Sequence, residues 1–295
     1  MEYLFNILIV IDIYIILAVS LNLIAGLTGL LSVGHAAFYG VGAYVAAVLS
    51  LRLGTPFPVN LLCAIIISSM LGVLVGWIGV RLRDDLFVIA TFAFQLVAFS
   101  LPYNCLSLLG GPMGLAGIPQ PTLLGLKITS HLDFFILASV FCILNLWVYW
   151  VVVRSPYGRV LRAIREDELL AESAGKNLAA YKRSVFALGA GLAASAGVIF
   201  AHYVSFIDPT SFSVLESIFI ISIVIIGGAG SLWGPVVGAV VLVTLPELLR
   251  FIGIPSSIAA NVRQIIYGAS LVACMLWRPQ GVIGKFGFRK EERRG

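Results

Sequence analysis

Charged positions are sparse and clustered along this chain. No Asp, Glu, Lys or Arg occurs between Asp12 and Arg52, between Arg52 and Arg81, between Asp85 and Lys127, or between Glu216 and Glu247. Such runs predict membrane-crossing helices, because a span needs about 20 mostly apolar residues. Candidate spans are roughly Tyr3–Ala25, Ser32–Leu51, Phe57–Val80, Leu86–Leu101, Leu132–Val153, Ser184–Val204, Ser211–Ile226, Leu232–Leu249 and Val262–Leu276. At about 1.5 Å per residue, several fall short of a hydrocarbon core about 30 Å thick. Short spans beside glycine clusters predict broken or re-entrant helices. Backbone of that kind survives at membrane depth only where protein or a watery cavity satisfies its polar groups.

Composition sharpens this. Of 295 residues, 60% are hydrophobic and 11% charged, against roughly 45–50% and about 25% in ordinary globular proteins. A soluble fold could not hide that much apolar surface behind so few charges. The reading is an all-α, polytopic transmembrane bundle of about nine spans (8–10), forming a single domain over residues 1–295 with little left for an aqueous domain. The opening MEYLFNILIV lacks a basic region and a small-residue cleavage site, so it reads as an uncleaved first span. Cys63, Cys105, Cys142 and Cys274 form no CxxC pair, and three of them lie in apolar runs as small hydrophobes.

The net charge of +5 is no nucleic-acid signal, because it concentrates in the stretch Arg154–Arg183 and in the tail. Placing a 153–183 loop inside puts fifteen of the nineteen basic residues on that side, together with Arg81, Arg83 and a basic 278–295 tail. Only Arg52, Lys127, Arg250 and Arg263 remain outside. That split predicts an N-terminus outside and a cytoplasmic C-terminus.

Small residues mark close helix approach. Gly34, Gly40 and Gly42 with Ala36, Ala37 and Ala43 line the second span, and Gly189, Gly191, Ala193, Ala194 and Gly197 line the sixth. Two glycine-broken stretches also resemble each other. Gly26-Leu-Thr-Gly29 precedes Gly34 and Gly42-Ala43, while Gly227-Gly-Ala-Gly230 precedes Gly234 and Gly238-Ala239. Interrupted segments in two halves suggest an internal repeat around a translocation path.

Enzyme chemistry is not apparent. The string Ala174-Gly175-Lys176-Asn177 lacks the upstream glycine and the hydroxyl of a phosphate loop, and Gly228-Ala-Gly230-Ser-Leu-Trp233 fails the dinucleotide fingerprint. His35, His131 and His202 have no metal-binding spacing, and no nucleophile motif occurs. The chain is therefore expected to carry no cofactor, no metal and no catalytic residue. Three polar residues in the apolar runs remain open. Asp12 reads as a hydrogen-bonded structural acid or as an ion relay. His35, beside Gly34 and Ala36, reads as a satisfied structural histidine or as a cavity-facing one. Glu216 reads as an acid favoured by the dipole at a helix start, or as part of the path.

The loop RSPYGRVLRAIREDELLAESAGKNLAAYKR is the sizeable hydrophilic segment. Pro156 and Gly158 end the fifth span. A helix is predicted from Arg159 to Ala174, with Ala163, Ile164, Leu170, Ala171 and Ala174 on one side. Arg162, Arg165, Glu166, Glu172 and Lys176 take the other, and Gly175 supplies the stop. Its four acids argue against lying on anionic lipid and favour docking into a cytoplasmic protein.

The segments LNLIAGLTGLLSVGHAAFYGVGAYVAA (21–47), GGPMGLAGIPQP (110–121), GRVLRAIREDELLAESAGKNLAAYKRSVF (158–186), AHYVSFIDPTSFSVLESI (201–218), GGAGSLWGPVVGA (227–239), LPELLR (245–250) and WRPQGVIG (277–284) carry a resemblance that runs over nearly the whole chain in order. The sequence resembles the permease subunits of branched-chain amino-acid ABC importers, their LivM-type half in particular. That resemblance implies a second homologous permease, two cytoplasmic ATP-binding subunits, a periplasmic or lipid-anchored binding protein and surrounding membrane lipids, with no nucleic acid. It implies an inner-membrane location and ATP hydrolysis on partner chains. The loop helix becomes a coupling helix seated in an ATPase groove, with Arg162, Arg165, Glu168, Glu172 and Gly175 as coupling residues. The family's Glu-Ala-Ala is only loosely present, as Glu168-Leu-Leu-Ala-Glu172-Ser-Ala. Candidate path residues are Gly34, His35, Gly111, Glu216 and Gly228. Alternatives are the same architecture carrying urea, short amides or other amino acids, a stand-alone ion-coupled carrier using Asp12, and an assembly subunit that transports nothing.

Overall fold

The structure, a computed structural model, describes residues 2–82, 84–123, 126–251, 265, 268–269, 271–272, 274, 276 and 281–283. Of the ninth expected span, Val262–Leu276, about half of the residues lie outside the described ones, and of the 278–295 tail only residues 281–283 are described.

Apart from four two-residue strands, the regular structure among the described residues is helical. In chain order the helices are α1 (Glu2–Leu21), α2 (His35–Val48), α3 (Phe57–Arg81), α4 (Asp84–Asn104), α5 (Leu106–Leu109), α6 (His131–Arg154), α7 (Pro156–Glu166), α8 (Glu168–Ser173), α9 (Leu178–Val204), α10 (Val214–Gly227) and α11 (Trp233–Phe251). Helices α1 and α2 each run on into a π-helical turn, Asn22–Gly26 and Leu49–Leu53. Among the described residues, six helices are long and apolar enough to cross a membrane: Glu2–Gly26, His35–Leu53, Phe57–Arg81, Asp85–Asn104, His131–Arg154 and Leu178–Val204. The segments Val214–Gly227 and Trp233–Glu247 are apolar but shorter.

Two predicted boundaries shift for local reasons. Helix α9 starts six residues before the expected Ser184, because Asn177 caps it, its Oδ1 accepting from the Ala180 amide at 3.0 Å. Helix α10 starts at Val214 rather than Ser211, because a 3-10 turn over Pro209–Phe212 and extended backbone at Ser213 precede it. Its 14 residues rise only about 21 Å at 1.5 Å each. It is therefore too short to cross a hydrocarbon core about 30 Å thick.

Helices α1, α2 and α9 form the centre, while α3, α4 and α6 turn large apolar side chains outward, among them Leu62, Val97 and Ile143. The predicted small faces of α2 and α9 meet. A Cβ added at Gly42 would stand 2.6 Å from Ala194 Cα, and one at Gly197 would stand 2.7 Å from the Ala43 amide nitrogen. Close backbone approach of this kind replaces the hydrophobic drive that lipid removes. At the end remote from α7, strands β1 (Leu115–Ala116) and β4 (Phe206–Ile207) pair antiparallel, with Leu115 opposite Ile207. A small hairpin of β2 (Thr122–Leu123) and β3 (Leu126–Lys127) lies nearby in sequence.

Because its Cβ atoms would meet backbone rather than a yielding side chain, Gly197→Val should destabilise the bundle by at least about 2 kcal/mol. Thermal unfolding followed by fluorescence-detected size exclusion should show the loss, while Leu62→Ala on the exposed face of α3 should leave the melting temperature unchanged.

Candidate functional site

The hydrophilic loop forms two helices, where the sequence predicts one over Arg159–Ala174. Helix α7 begins with Pro156 at its first turn and Ser155 as cap, Oγ accepting from the Gly158 amide at 3.2 Å. It ends at Asp167, whose extended backbone breaks the helix and whose Oδ1 caps α8 by accepting from the Leu170 amide at 3.0 Å. The break changes which residues face inward. Leu161, Ile164 and Ala171 are buried, but Ala163, Leu170 and Ala174 of the predicted apolar side are exposed. Leu169 and Leu170 stand 79% and 70% exposed on α8. Gly175, with φ of +76°, then turns the chain towards α9, a conformation that suits glycine.

Two arginines expected on the outer side turn inward instead. Arg162 Nη2 donates to the Val153 carbonyl at 3.1 Å, and Arg165 Nη1 donates to the Gly26 carbonyl at 2.6 Å. Burial draws the Arg165 guanidinium below its ordinary pKa, with Tyr149 and Glu166 acting the other way; it stays protonated at neutral pH. Glu168 forms a 2.6 Å ion pair with the buried Lys182 of α9, which neutralises a charge that would be costly alone. Glu172 and Gly175 are exposed.

Arg165 touches the place where the two glycine-broken stretches meet. Asn22, in the π-helical turn of α1, accepts from the Gly230 amide through Oδ1 at 2.7 Å. Its Nδ2 donates to the Ser231 carbonyl and to the Tyr149 hydroxyl, both at 2.8 Å. Beyond α10, the amides of Val282 and Ile283 donate to the carbonyls of Ile226 and Gly227 at 2.8 and 3.0 Å.

A second polar cluster lies deeper, where α2 and α10 begin. His35 Nε2 and Ser20 Oγ are 2.7 Å apart. Ser20 directs its one proton to the Leu17 carbonyl at 2.8 Å, so the ring proton sits on Nε2 and Nδ1 is an acceptor. That Nδ1 is buried with no partner among the described residues. The Ala36 amide donates to Ser217 Oγ at 2.9 Å, Ser217 donates to Gln95 Oε1 at 3.2 Å, and Gln95 Nε2 donates to the Phe212 carbonyl at 2.7 Å. Ser20, His35, Gln95 and Ser217 are wholly buried.

Of the predicted path residues, Gly34, His35 and Glu216 lie around this cluster, Gly34 as the cap of α2 and Glu216 in the first turn of α10 bonded to Tyr14. Gly228 stands at the opposite end of α10, by the Asn22 junction, and Gly111 in a separate turn after α5. Asp12 accepts from Ser139 of α6 at 2.7 Å, the structural arrangement of the two considered. Residues 3–275 match the family described as the permease component of branched-chain amino acid transport systems.

The chain belongs to that family. It is 35% identical over 294 residues to the high-affinity branched-chain amino acid permease protein LivM of Salmonella typhimurium, covering 92% of this chain and 68% of that protein. It is 34% identical, with the same coverage, to LivM of Escherichia coli. To the LivH permease protein of Escherichia coli it is 24% identical over 92% of this chain and 91% of that one. No solved structure matches.

Among branched-chain amino acid permeases, then, this chain shows which side chains hold its broken helices. Asn22, Gln95, Ser217 and Arg165 do so, and sequence reasoning singled out none of them for that task. An available signal was the cost of an unpaired amide: Asn22 and Gln95 interrupt charge-free apolar runs, where an unsatisfied carboxamide is expensive. Replacing Asn22 by Ala strands the Gly230 amide and leaves the Ser231 carbonyl only a long 3.5 Å bond from the Tyr149 hydroxyl, which should destabilise by at least about 2 kcal/mol. Hydrogen exchange should report it first, as faster exchange at Gly230 while the amides of α9 keep their protection.

Proposed function

We propose that this chain is the LivM-type half of an ATP-driven importer for branched-chain amino acids, with the N-terminus outside and the α7–α8 loop in the cytoplasm. It would work with a homologous permease, two ATP-binding subunits and a substrate-binding protein, and cross the membrane about nine times. The carrying observation is the loop's two-sided build. Helix α7 is bonded to the bundle through Arg162 and Arg165, while α8 presents Leu169 and Leu170 outward, largely uncovered by the described residues. An exposed leucine pair on a helix tethered this tightly suits docking into an apolar groove of a partner.

The transport cycle then follows from the contacts. ATP binds the closed form of the paired ATPases more tightly than the open form, and that difference supplies the shift between two bundle states. Movement at α8 passes through α7 and Arg165 to the end of α1 at Gly26, and by Asn22 to the Gly230 loop ahead of α11. It also passes through the Glu168–Lys182 pair to α9. Parting α2 from α10 opens the closed cluster, whose two helix N-termini favour a substrate carboxylate. The His35 Nδ1 acceptor suits its ammonium. Specificity would rest mainly on the binding protein, so weak passage is enough here.

Leu169→Asp combined with Leu170→Asp should leave expression and thermal stability unchanged, while uptake of labelled leucine and co-purification of the ATPases both fall at least about tenfold, the scale of losing a small apolar hot spot. Normal uptake in that variant would sink the coupling assignment. Asp12→Asn should retain ATP-driven uptake, since Asn still accepts from Ser139; abolished uptake with an intact fold would instead favour an ion-coupled carrier.

A further inference from the structure

An apolar cavity of about 620 Å³ lies between α2, α3 and α4, bounded at the end remote from α7 by α5 and by the Pro209–Phe212 turn. Val41, Val45, Leu71, Phe94, Ala98 and Phe212 are among its walls, and its polar side-chain groups are the Tyr44 hydroxyl and the Cys63 thiol. Neither the coupling loop nor the closed polar cluster uses this space.

Three observations identify the occupant. First, the wall holds no charged side chain. A zwitterionic amino acid would leave two ions unpaired there, at several kcal/mol each, so this space is not a seat for the transported molecule. Second, the mouth opens where α3 and α4 carry outward apolar residues, Val97 57% and Leu101 61% exposed among them, which makes hydrocarbon its surroundings. Third, the wall contributed by α3 runs from Cys63 to Leu74. That is about 16 Å of helix, close to half of a hydrocarbon core about 30 Å thick, or one leaflet.

Charge completes the fit. Arg52 is exposed in the π-helical turn that ends α2, one turn beyond Leu49 of the cavity wall. Its guanidinium donates to the Ser107 carbonyl, next to Leu108 of the same wall. A guanidinium so placed, with donors to spare, suits a phosphate diester at the membrane surface. We propose that this cavity seats one acyl chain of a phospholipid from the leaflet remote from α7, with its phosphate on Arg52. The lipid would wedge α2 against α4 and fix the position of Phe212, whose carbonyl holds Gln95.

The full-length chain, purified with whichever subunits accompany it, would be reconstituted in nanodiscs of phosphatidylethanolamine and phosphatidylglycerol and examined by native mass spectrometry after detergent release. The wild type should retain one phospholipid. Ala98→Phe, which fills the cavity, should retain none, and Arg52→Gln should lower retention about fivefold, the scale of one basic residue at a membrane surface. Phe92→Ala, on an outward position of the same helix, should retain lipid as the wild type does. Should Ala98→Phe fail to fold, peptide-resolved maleimide labelling of wild-type Cys63 serves instead, rising when the nanodisc lipid is stripped and falling when it is restored. Equal lipid retention in wild type and Ala98→Phe would overturn the proposal. So would a lipid-free wild type in which Cys63 cross-links to a second membrane subunit, which would make the cavity a seat for a neighbouring helix.

Discussion

Everything in this bundle depends on satisfying backbone polar groups where no water reaches. A helix that stops inside hydrocarbon leaves up to four amides or four carbonyls without partners, and each costs several kcal/mol in lipid. Helix α10 is too short to cross the hydrocarbon core, and α2 starts within hydrogen-bonding reach of it, so particular side chains and backbone groups have to take over those partners. Ser217 accepts from the Ala36 amide, Gln95 holds the Phe212 carbonyl, and Asn22 takes both a donor and an acceptor of the Gly230–Ser231 turn. Val282 and Ile283 complete the end of α10 with their own amides. None of these bonds is dispensable in the way a surface hydrogen bond is, because the alternative is an orphaned group rather than a hydrated one.

That necessity also sorts rigid parts from movable ones. Where α2 and α9 meet through Gly42, Ala194 and Gly197, backbone sits against backbone and there is no slack to slide. Where α2 meets α10, the contact runs through the single hydroxyl of Ser217 and the carboxamide of Gln95. Parting the two helices would orphan those groups unless another polar partner took their place. The seam between α2 and α10 is thus held by a few polar bonds, whereas the α2–α9 face is held by backbone packing.

The sequence carries the first layer of this plainly. The predicted spans coincide with the six membrane-length helices among the described residues, and the small-residue stripes of the second and sixth predicted spans are the faces that meet. The glycine-broken stretches, similar only in outline, prove to be neighbours bridged by Asn22. Less legible was everything decided by one local side chain. Asp167 looks like any polar position of an amphipathic helix, yet as a cap it breaks the loop helix and turns Leu170 outward. Arg165 reads as a solvated cation until Gly26, 139 positions away, offers a carbonyl. Periodicity describes a face; it does not say which distant backbone group is short of a partner.

The same accounting explains why the chain holds so little chemistry of its own. A polar group placed in the passage for catalysis or tight binding would need a partner in every state of the cycle, including those without substrate. Among the described residues, His35 Nδ1 is one of five buried side-chain atoms without a partner, beside Ser32 Oγ, the Tyr44 hydroxyl, Asn145 Oδ1 and His202 Nε2. Each such group weighs on the fold by a few kcal/mol, so a larger array would approach a whole protein's stability. A seam made mostly of small residues packs closely and leaves few polar groups to pair. Exposed charge is gathered instead on the tethered α7–α8 loop, where the side chains of Glu166, Asp167 and Glu172 need no partner from the bundle.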